Sequence, residues 1–276
     1  ADLPLGFSYD VKEVQAPEGY LRNADDVYTF TFSYTNDKEA KLTFKHTFKN
    51  ERVTAKISLQ KQDKETKKAV PQGDATLEKA VYGLYAREDI VHPDGATGVI
   101  YEAGEQVATL TTDKNGQASV DGLYLGNYYV KEITPPTGYL ADEEEHDLVC
   151  NYEGDFVAEV KRDCLSLEQV MKQPFEIIKA ANNGKTDADL LKGAGFTAYL
   201  VSSLTVKEDG SYDFGSAKPV VIGENGATEI FTDEKGYARS IAIPYGTYIV
   251  RETTTPHNYT PVNDFIVQIT ENHPTT

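Results

Sequence analysis

Along the whole chain, short runs alternate apolar and polar residues and are then broken by Gly, Pro, Asn or Asp. Ala55-Lys-Ile-Ser-Leu-Gln-Lys61 and Phe44-Lys-His-Thr-Phe48 are two such runs. Period-two alternation turns one side of a strand toward a core and the other toward water. Val, Ile, Thr and Tyr are frequent and suit a pleated, half-buried surface. Helical periodicity is scarce. Leu165-Ser-Leu-Glu-Gln-Val-Met-Lys-Gln173 has mild helical propensity, but its place in the pattern makes it the strand leading into the last third of the chain. The pattern predicts an all-β protein. Asp113-Lys-Asn-Gly116 and Asp233-Glu-Lys-Gly236, each between β-prone runs, read as hairpin turns. Neither is followed by the acidic ligands of a calcium loop. Tyr152-Glu-Gly-Asp155 also reads as a hairpin.

One segment occurs three times. Its copies are Tyr9-Asp-Val-Lys-Glu13-Val-Gln-Ala-Pro17-Glu-Gly-Tyr20, Tyr129-Val-Lys-Glu132-Ile-Thr-Pro-Pro136-Thr-Gly-Tyr139 and Tyr248-Ile-Val-Arg-Glu252-Thr-Thr-Thr-Pro256-His-Asn-Tyr259. Each has a Glu at the end of a β-like run, a Pro four residues on and a Tyr seven residues on. Glu13, Glu132 and Glu252 are 119 and 120 residues apart, so the repeating unit is a whole domain. Leu3-Pro-Leu-Gly6 aligns with Leu123-Tyr-Leu-Gly126 and Ile243-Pro-Tyr-Gly246, the turn before each glutamate. Strands ending in Lys61 and Lys179 precede Glu132 and Glu252 by 71 and 73 residues. The alignment predicts three units: 1–52, the C-terminal half of a first domain; 53–170, a complete second domain; and 171–276, a third domain lacking its last strand. Linkers are short, which predicts a rod of modules. The stretch from Ser202 to Ser216 is an insertion in the third copy and reads as a surface loop.

Composition narrows the function. With 39% apolar residues, no Trp and one Met, the chain can bury several small cores but not one large enzyme core. A net charge of −17 repels phosphate backbones and argues against nucleic-acid binding. The absence of a long apolar run argues against membrane insertion. Two cysteines, Cys150 and Cys164, are too few for a disulfide framework, and their spacing leaves a bond between them open. There is no Ser/His/Asp ordering, phosphate loop or Cys-x-x-Cys, so neither enzymatic turnover nor a cofactor is expected. Asp142-Glu-Glu-Glu-His146-Asp147 reads as a solvated acidic loop rather than a metal site, because consecutive residues of an extended chain diverge.

The chemistry lies in the recurrent Lys and Glu. Lys61 and Lys179 follow alternating or apolar runs, and Glu132 and Glu252 follow Tyr-Val and Tyr-Ile-Val. All four are placed to face a core, where charge must be paired or neutralised. Burial lowers a lysine's pKa and raises a glutamate's. A neutral amine is a nucleophile, and a nearby acid can carry its proton. In Phe44-Lys-His-Thr-Phe48-Lys-Asn50-Glu-Arg-Val53 the alternation places Asn50 on a strand, 37 residues after Glu13.

The Lys61-x-Asp63 strand, the Tyr-x-x-Glu-x-x-x-Pro-x-Gly-Tyr box and the Asn50-Glu-x-Val53 strand together resemble Cna B-type, SpaA-like domains of Gram-positive surface proteins and pilins. The resemblance covers essentially the whole chain. It implies tandem prealbumin-like, Ig-like Greek-key β-sandwiches arranged end to end. It also implies an intramolecular isopeptide bond from a first-strand Lys to a last-strand Asn or Asp, promoted by the box glutamate. Carried over, Glu13, Glu132 and Glu252 are the promoting residues, Lys61 and Lys179 the amines and Asn50 an acceptor. In the second domain the acceptor is left open: Glu168 stands at the expected spacing but Glu is not the family's acceptor, and Asp163 is chemically suitable but five residues away on the opposite strand face. Asn272 is too close to Glu252 to serve the third domain.

The function this implies is a stalk segment of a cell-wall-anchored adhesin or pilin-like protein, extracellular, with its anchor outside this sequence. Its partners would be neighbouring repeat domains of the same protein. The competing reading is a module that binds a host matrix protein or glycan. A transthyretin-like hydrolase would need a His/Arg/Ser constellation that the sequence does not contain.

Overall fold

The structure, a computed structural model, describes residues 3–33, 43–182 and 189–270. Asn272 lies outside them. The described residues form strands joined by turns, with two short 3-10 turns and no other helix.

In the N-terminal unit, β1 (Ser8–Lys12) pairs antiparallel with β2 (Val27–Thr31). The strand expected through Phe44–Val53 is not formed, apart from a bridge between Tyr20 and Arg52. A strand needs a neighbour for its N–H and C=O groups, and among the described residues only Gly19–Leu21 bonds to this segment, at its Glu51–Val53 end. The alternation still expresses itself in packing. Phe44 stacks on Phe30 at 4.8 Å and His46 on Tyr28 at 4.6 Å between ring centroids.

The second unit contains β3 (Thr54–Asp63), β4 (Val81–Ala86), β5 (Ile90–Val91), β6 (Val99–Tyr101), β7 (Gln106–Thr111), β8 (Gln117–Leu123), β9 (Gly126–Thr134), β10 (Glu145–Cys150) and β11 (Glu159–Glu168). One sheet has the order β10-β9-β4-β7 and the other β11-β3-β8. Ile57, Leu59 and Val160 of one sheet pack with Tyr82, Leu84, Tyr128 and Val130 of the other in a single buried cluster. This is a β-sandwich. Each side chain buried there stabilises by about 1.5–3 kcal/mol relative to exposure. β3 buries every second residue along its length, as its sequence requires. β11 runs parallel to β3, pairing Ser166 with Lys61 and Glu168 with Asp63. Residues Leu165 to Glu168 are thus the end of this domain's last strand, and only Lys172–Gln173 begins the next unit.

The hairpin expectations need correction. The Asp113 turn forms, its carboxylate accepting the N–H groups of Asn115 at 2.8 Å and Gln117 at 2.9 Å. However, β7 and β8 belong to different sheets, so the turn crosses between layers. The Asp233 turn does the same between β17 (Glu229–Phe231) and β18 (Tyr237–Arg239), and the Tyr152–Asp155 segment between β10 and β11. Turn residues are a local signal, whereas the strand a neighbour will pair with is not. Cys150 and Cys164 are buried free thiols.

The third unit holds β12 (Lys172–Gln173), β13 (Glu176–Ile178), β14 (Gly195–Leu200), β15 (Thr205–Val206), β16 (Tyr212–Asp213), β17, β18, β19 (Ile243–Pro244), β20 (Gly246–Thr254) and β21 (Phe265–Ile269). Its main sheet, β17-β14-β20-β21, packs Phe196, Tyr248 and Val250 against Phe175, Ile177 and Ala238. The insertion from Ser202 to Ser216 carries the small β15–β16 hairpin. Where the second and third units meet, Tyr139 and Leu77 form a small buried cluster with Val170 and Ala75, covered by Tyr245.

Candidate functional site: a buried lysine between two glutamates

The inward face of β3 reads Ala55, Ile57, Leu59, Lys61, Asp63. Alternation therefore carries the Lys61 side chain into the sandwich, where it is fully buried. On β9 the same rule brings Tyr128, Val130 and Glu132 inward, and on β11 Cys164, Ser166 and Glu168. The three strands converge at one end of the core. Lys61 Nζ lies 3.2 Å from Glu132 Oε1 and 3.2 Å from the Tyr82 hydroxyl. It also forms an ion pair with Glu168 Oε2. Tyr82 donates to Glu168 Oε1 at 2.5 Å, and Ser166 Oγ donates to the same oxygen at 3.0 Å. The second oxygen of Glu132 accepts the Asp142 N–H at 2.9 Å.

Electrostatics follow from this burial. Desolvation lowers Lys61 to about 8, an effect that the nearby Glu132 carboxylate partly offsets. Desolvation pushes the Tyr82 hydroxyl well above its ordinary value, so it stays a donor. One lysine faces two carboxyls in a dry pocket, and charge there is costly unless paired. Asp63, the other member of the Lys-x-Asp pair, is not part of this cluster. Burial alone would raise its pKa, but hydrogen bonds from the Thr66 N–H, Gln72 and Tyr139 outweigh it and hold the group low. Its Oδ2 accepts the Tyr139 hydroxyl at 3.0 Å, which ties the box tyrosine to the first strand.

The other two units carry parts of the same arrangement. In the third, Lys179 Nζ lies 2.6 Å from Glu252 Oε2, which also accepts the Val262 N–H at 2.8 Å. Val262 and Asp142 each follow their glutamate by ten residues, so the backbone donor repeats as well. In the first, Asn50 Nδ2 donates to Glu13 Oε2 at 2.7 Å and to the Leu21 carbonyl at 2.8 Å.

The backbone fixes which residue of β11 corresponds to Asn50. Leu21 N–H bonds Glu51 O at 2.8 Å, and Val53 N–H bonds Gly19 O at 2.8 Å. In the second domain Leu140 N–H bonds Gln169 O at 2.9 Å, and Met171 N–H bonds Gly138 O at 2.9 Å. Bridges Tyr20–Arg52 and Tyr139–Val170 complete the match. Glu168 therefore occupies the place of Asn50. Asp163 is exposed on the opposite face of β11, away from Lys61. Sequence reasoning missed Tyr82 and Ser166. Ser166 was accessible, being one alternation step before Glu168. Tyr82 gave no sign of its role, because nothing local says which residue of β4 will face Lys61.

The acidic segment behaves differently from its expectation. Alternate rather than consecutive residues converge, and ligand atoms of Asp142, Glu144 and His146 lie within 4.8 Å of one another. His146 Nε2 is 3.6 Å from Asp142 Oδ2. The group is part-exposed, and Asp147 turns away to pair with Arg87.

No curated protein matches the chain. Among solved structures it is similar to the Bacillus anthracis TIE protein, with a TM-score of 0.56 and 24% identity over 98% of this chain. The chain spans 40% of that protein's length. It also matches the shaft pilin SpaA of Lactobacillus rhamnosus GG at 17% identity and TM-score 0.30, covering 79% of this chain and 94% of that one. A third match is GBS52, the minor pilin of Streptococcus agalactiae, at 16% identity and TM-score 0.28, covering 78% of this chain and 90% of that one. The family model for the SpaA prealbumin-like fold domain matches residues 55–163 and again 174–276. With two copies of that domain accounting for most of its length, the chain belongs to the SpaA family of prealbumin-like domains.

Proposed function

We propose that this chain is a structural stalk segment of a Gram-positive cell-surface adhesin or pilin-like protein, held rigid in the parent protein by intramolecular Lys–Asn or Lys–Asp isopeptide bonds. The observation that carries the reading is the recurrence of one buried pair, Lys61–Glu132 and Lys179–Glu252, with the same backbone N–H on the glutamate. A surface ion pair contributes about 0–1 kcal/mol and needs no such burial. A buried amine beside a buried carboxyl has the proximity that single-turnover amide formation requires. By analogy with a disulfide, a cross-link closing a loop of about 100 residues stabilises by about 4–5 kcal/mol. Unlike a disulfide, it survives reduction.

On this reading the domains run 1–52, 53–170 and 171–276, Glu13, Glu132 and Glu252 promote bond formation, and Asn50, Lys61 and Lys179 take part in it. The direct partners are neighbouring repeats. Contacts across the junctions support this. Asp74 accepts the Thr247 N–H at 3.0 Å, and Asp155 accepts the Ala16 N–H at 3.2 Å. Fractionation of the source cells tests the location. The protein is expected in the wall fraction, released by a muramidase, and recovery from the cytosol would overturn the proposal.

A second reading, recognition of a host matrix protein or glycan, is favoured by one feature. Tyr212, Phe214, Ile249, Arg251 and Phe265 line an open depression of about 800 Å³ beside the inserted hairpin. Binding on glycan and matrix-protein arrays that is lost in Phe214→Ala would support it.

A further inference from the structure

The self-cross-linking reading requires an Asn or Asp where the second domain has Glu168, and the inference here rests on that reading. We infer that Glu168 is itself the acceptor, and that Lys61 and Glu168 condense to an amide inside the second domain with loss of one water.

Three observations carry it. The first is position. The ladder through Leu140, Gln169, Gly138 and Met171 sets Glu168 in the register that Asn50 holds in the first domain. The second is geometry. Lys61 Nζ abuts Glu168 Oε2, while Oε1 accepts two hydroxyls, Tyr82 at 2.5 Å and Ser166 at 3.0 Å. Two donors on one carboxyl oxygen are what a tetrahedral intermediate needs for its oxyanion. The third is charge. Lys61, Glu132 and Glu168 together carry one negative charge in excess when all are ionised, and all three side chains are sealed from solvent. In a dry pocket the ammonium and a second carboxylate are both disfavoured, so passage of the Lys61 proton to Glu168, giving an amine beside a carboxylic acid, is favourable. Condensation removes both the ammonium and the Glu168 carboxylate from the core.

The neutral Lys61 amine attacks Cδ of the Glu168 carboxylic acid. The electron pair of the Cδ–Oε1 double bond moves onto Oε1, held by Tyr82 and Ser166. Glu132, 3.2 Å from Nζ, takes a proton from the attacking nitrogen and delivers it to Oε2. The Cδ–Oε2 bond breaks, water leaves and the carbonyl re-forms. Glu132 ends as it began, a carboxylate accepting the Asp142 N–H. Tyr82 and Ser166 are thus assigned as oxyanion donors.

The test is intact mass of the purified chain, with peptide sequencing to locate any bond, alongside Glu168→Asn, Glu132→Gln and Tyr82→Phe. Near-ultraviolet circular dichroism confirms that each variant is folded. The inference expects the wild-type chain to be lighter by one water, with a branched peptide joining Lys61 to Glu168. It expects E132Q to be folded and unmodified, and Y82F to be modified at least tenfold more slowly. A wild-type chain of full mass with E168N lighter by one ammonia would overturn Glu168 as acceptor while leaving the self-cross-linking reading intact. Full mass in both would overturn the two together for this domain. A water loss mapping to any other pair, or persisting in E132Q, would overturn the assignment of roles.

Discussion

Lys61 Nζ stands 3.2 Å from Glu132 Oε1 in the sandwich core, although the two residues are 71 positions apart in the chain. Neither strand could hold its charge there alone. The cluster is stable only as a set, and that dependence is measurable.

Replacing Lys61 by Met keeps the stem's volume and removes the cation. Glu132 and Glu168 are then two buried carboxylates without a counter-charge. Breaking a buried pair in this way costs about 3–5 kcal/mol, and loss of the Lys61–Glu168 amide adds about 4–5 kcal/mol to that. Urea unfolding of K61M should show that loss, and K61M/E132Q should recover part of it. An unchanged midpoint would mean that the carboxyls have found other partners.

Glu65 reaches from the end of the second domain's first strand to the junction, accepting Gln169 at 2.7 Å and Gln72 at 3.0 Å and pairing with Lys172. Burial would raise its pKa, but those donors and the Lys172 charge outweigh it and hold the group at about 2. The folded value lies below the unfolded one. The contribution is therefore fully present above the ordinary value of 4.5 and is lost as pH falls through about 2. The side chain is 37% exposed, so solvent screening limits it to about 1 kcal/mol. E65Q should be less stable than wild type at pH 7 and indistinguishable from it near pH 2. A difference that grows on acidification would contradict the assignment.

Cys164 is buried, and burial pushes its thiol up to about 11. Cys150 is buried as well and is also raised by desolvation. Reactivity belongs to the thiolate and needs access. A thiol reagent at pH 8 should find no reactive group in the native chain and two after unfolding, without prior reduction. Fewer than two in unreduced, unfolded protein would reveal a bond between them.

Gly138 in the second Gly-Tyr pair has φ +82°, and an added Cβ would meet the Ala75 Cβ at 2.7 Å and the Tyr245 ring at 2.8 Å. Gly104 has nearly the same backbone, φ +80°, with open space around it. G104A should cost about 1–2 kcal/mol for its left-handed conformation. G138A should cost about 1–3 kcal/mol more, from crowding at the junction. Thermal unfolding of the two variants separates the terms, and equal losses would show that the Tyr245 ring yields freely.

Much of this protein is legible in its sequence alone. Period-two alternation alone turns Lys61 inward on β3 and Glu132 inward on β9, because side chains of a strand must go to opposite faces. The constant spacing of Glu13, Glu132 and Glu252 marks the domain repeat, and the same alternation puts Asp163 and Glu168 on opposite faces of β11. What the sequence left open depended on pairing between distant strands. The parallel seating of β11 on β3 sets Ser166 opposite Lys61, and β4 delivers Tyr82 to Glu168. The turns at Asp113 and Asp233 were visible, but not that their strands would part into opposite sheets. Asp142, Glu144 and His146 converge because one extended segment keeps alternate residues on one side. A strand's own sequence fixes which side chains share a face. Which neighbour that face meets is decided by burial summed over the whole sandwich, and only the tertiary structure shows the outcome.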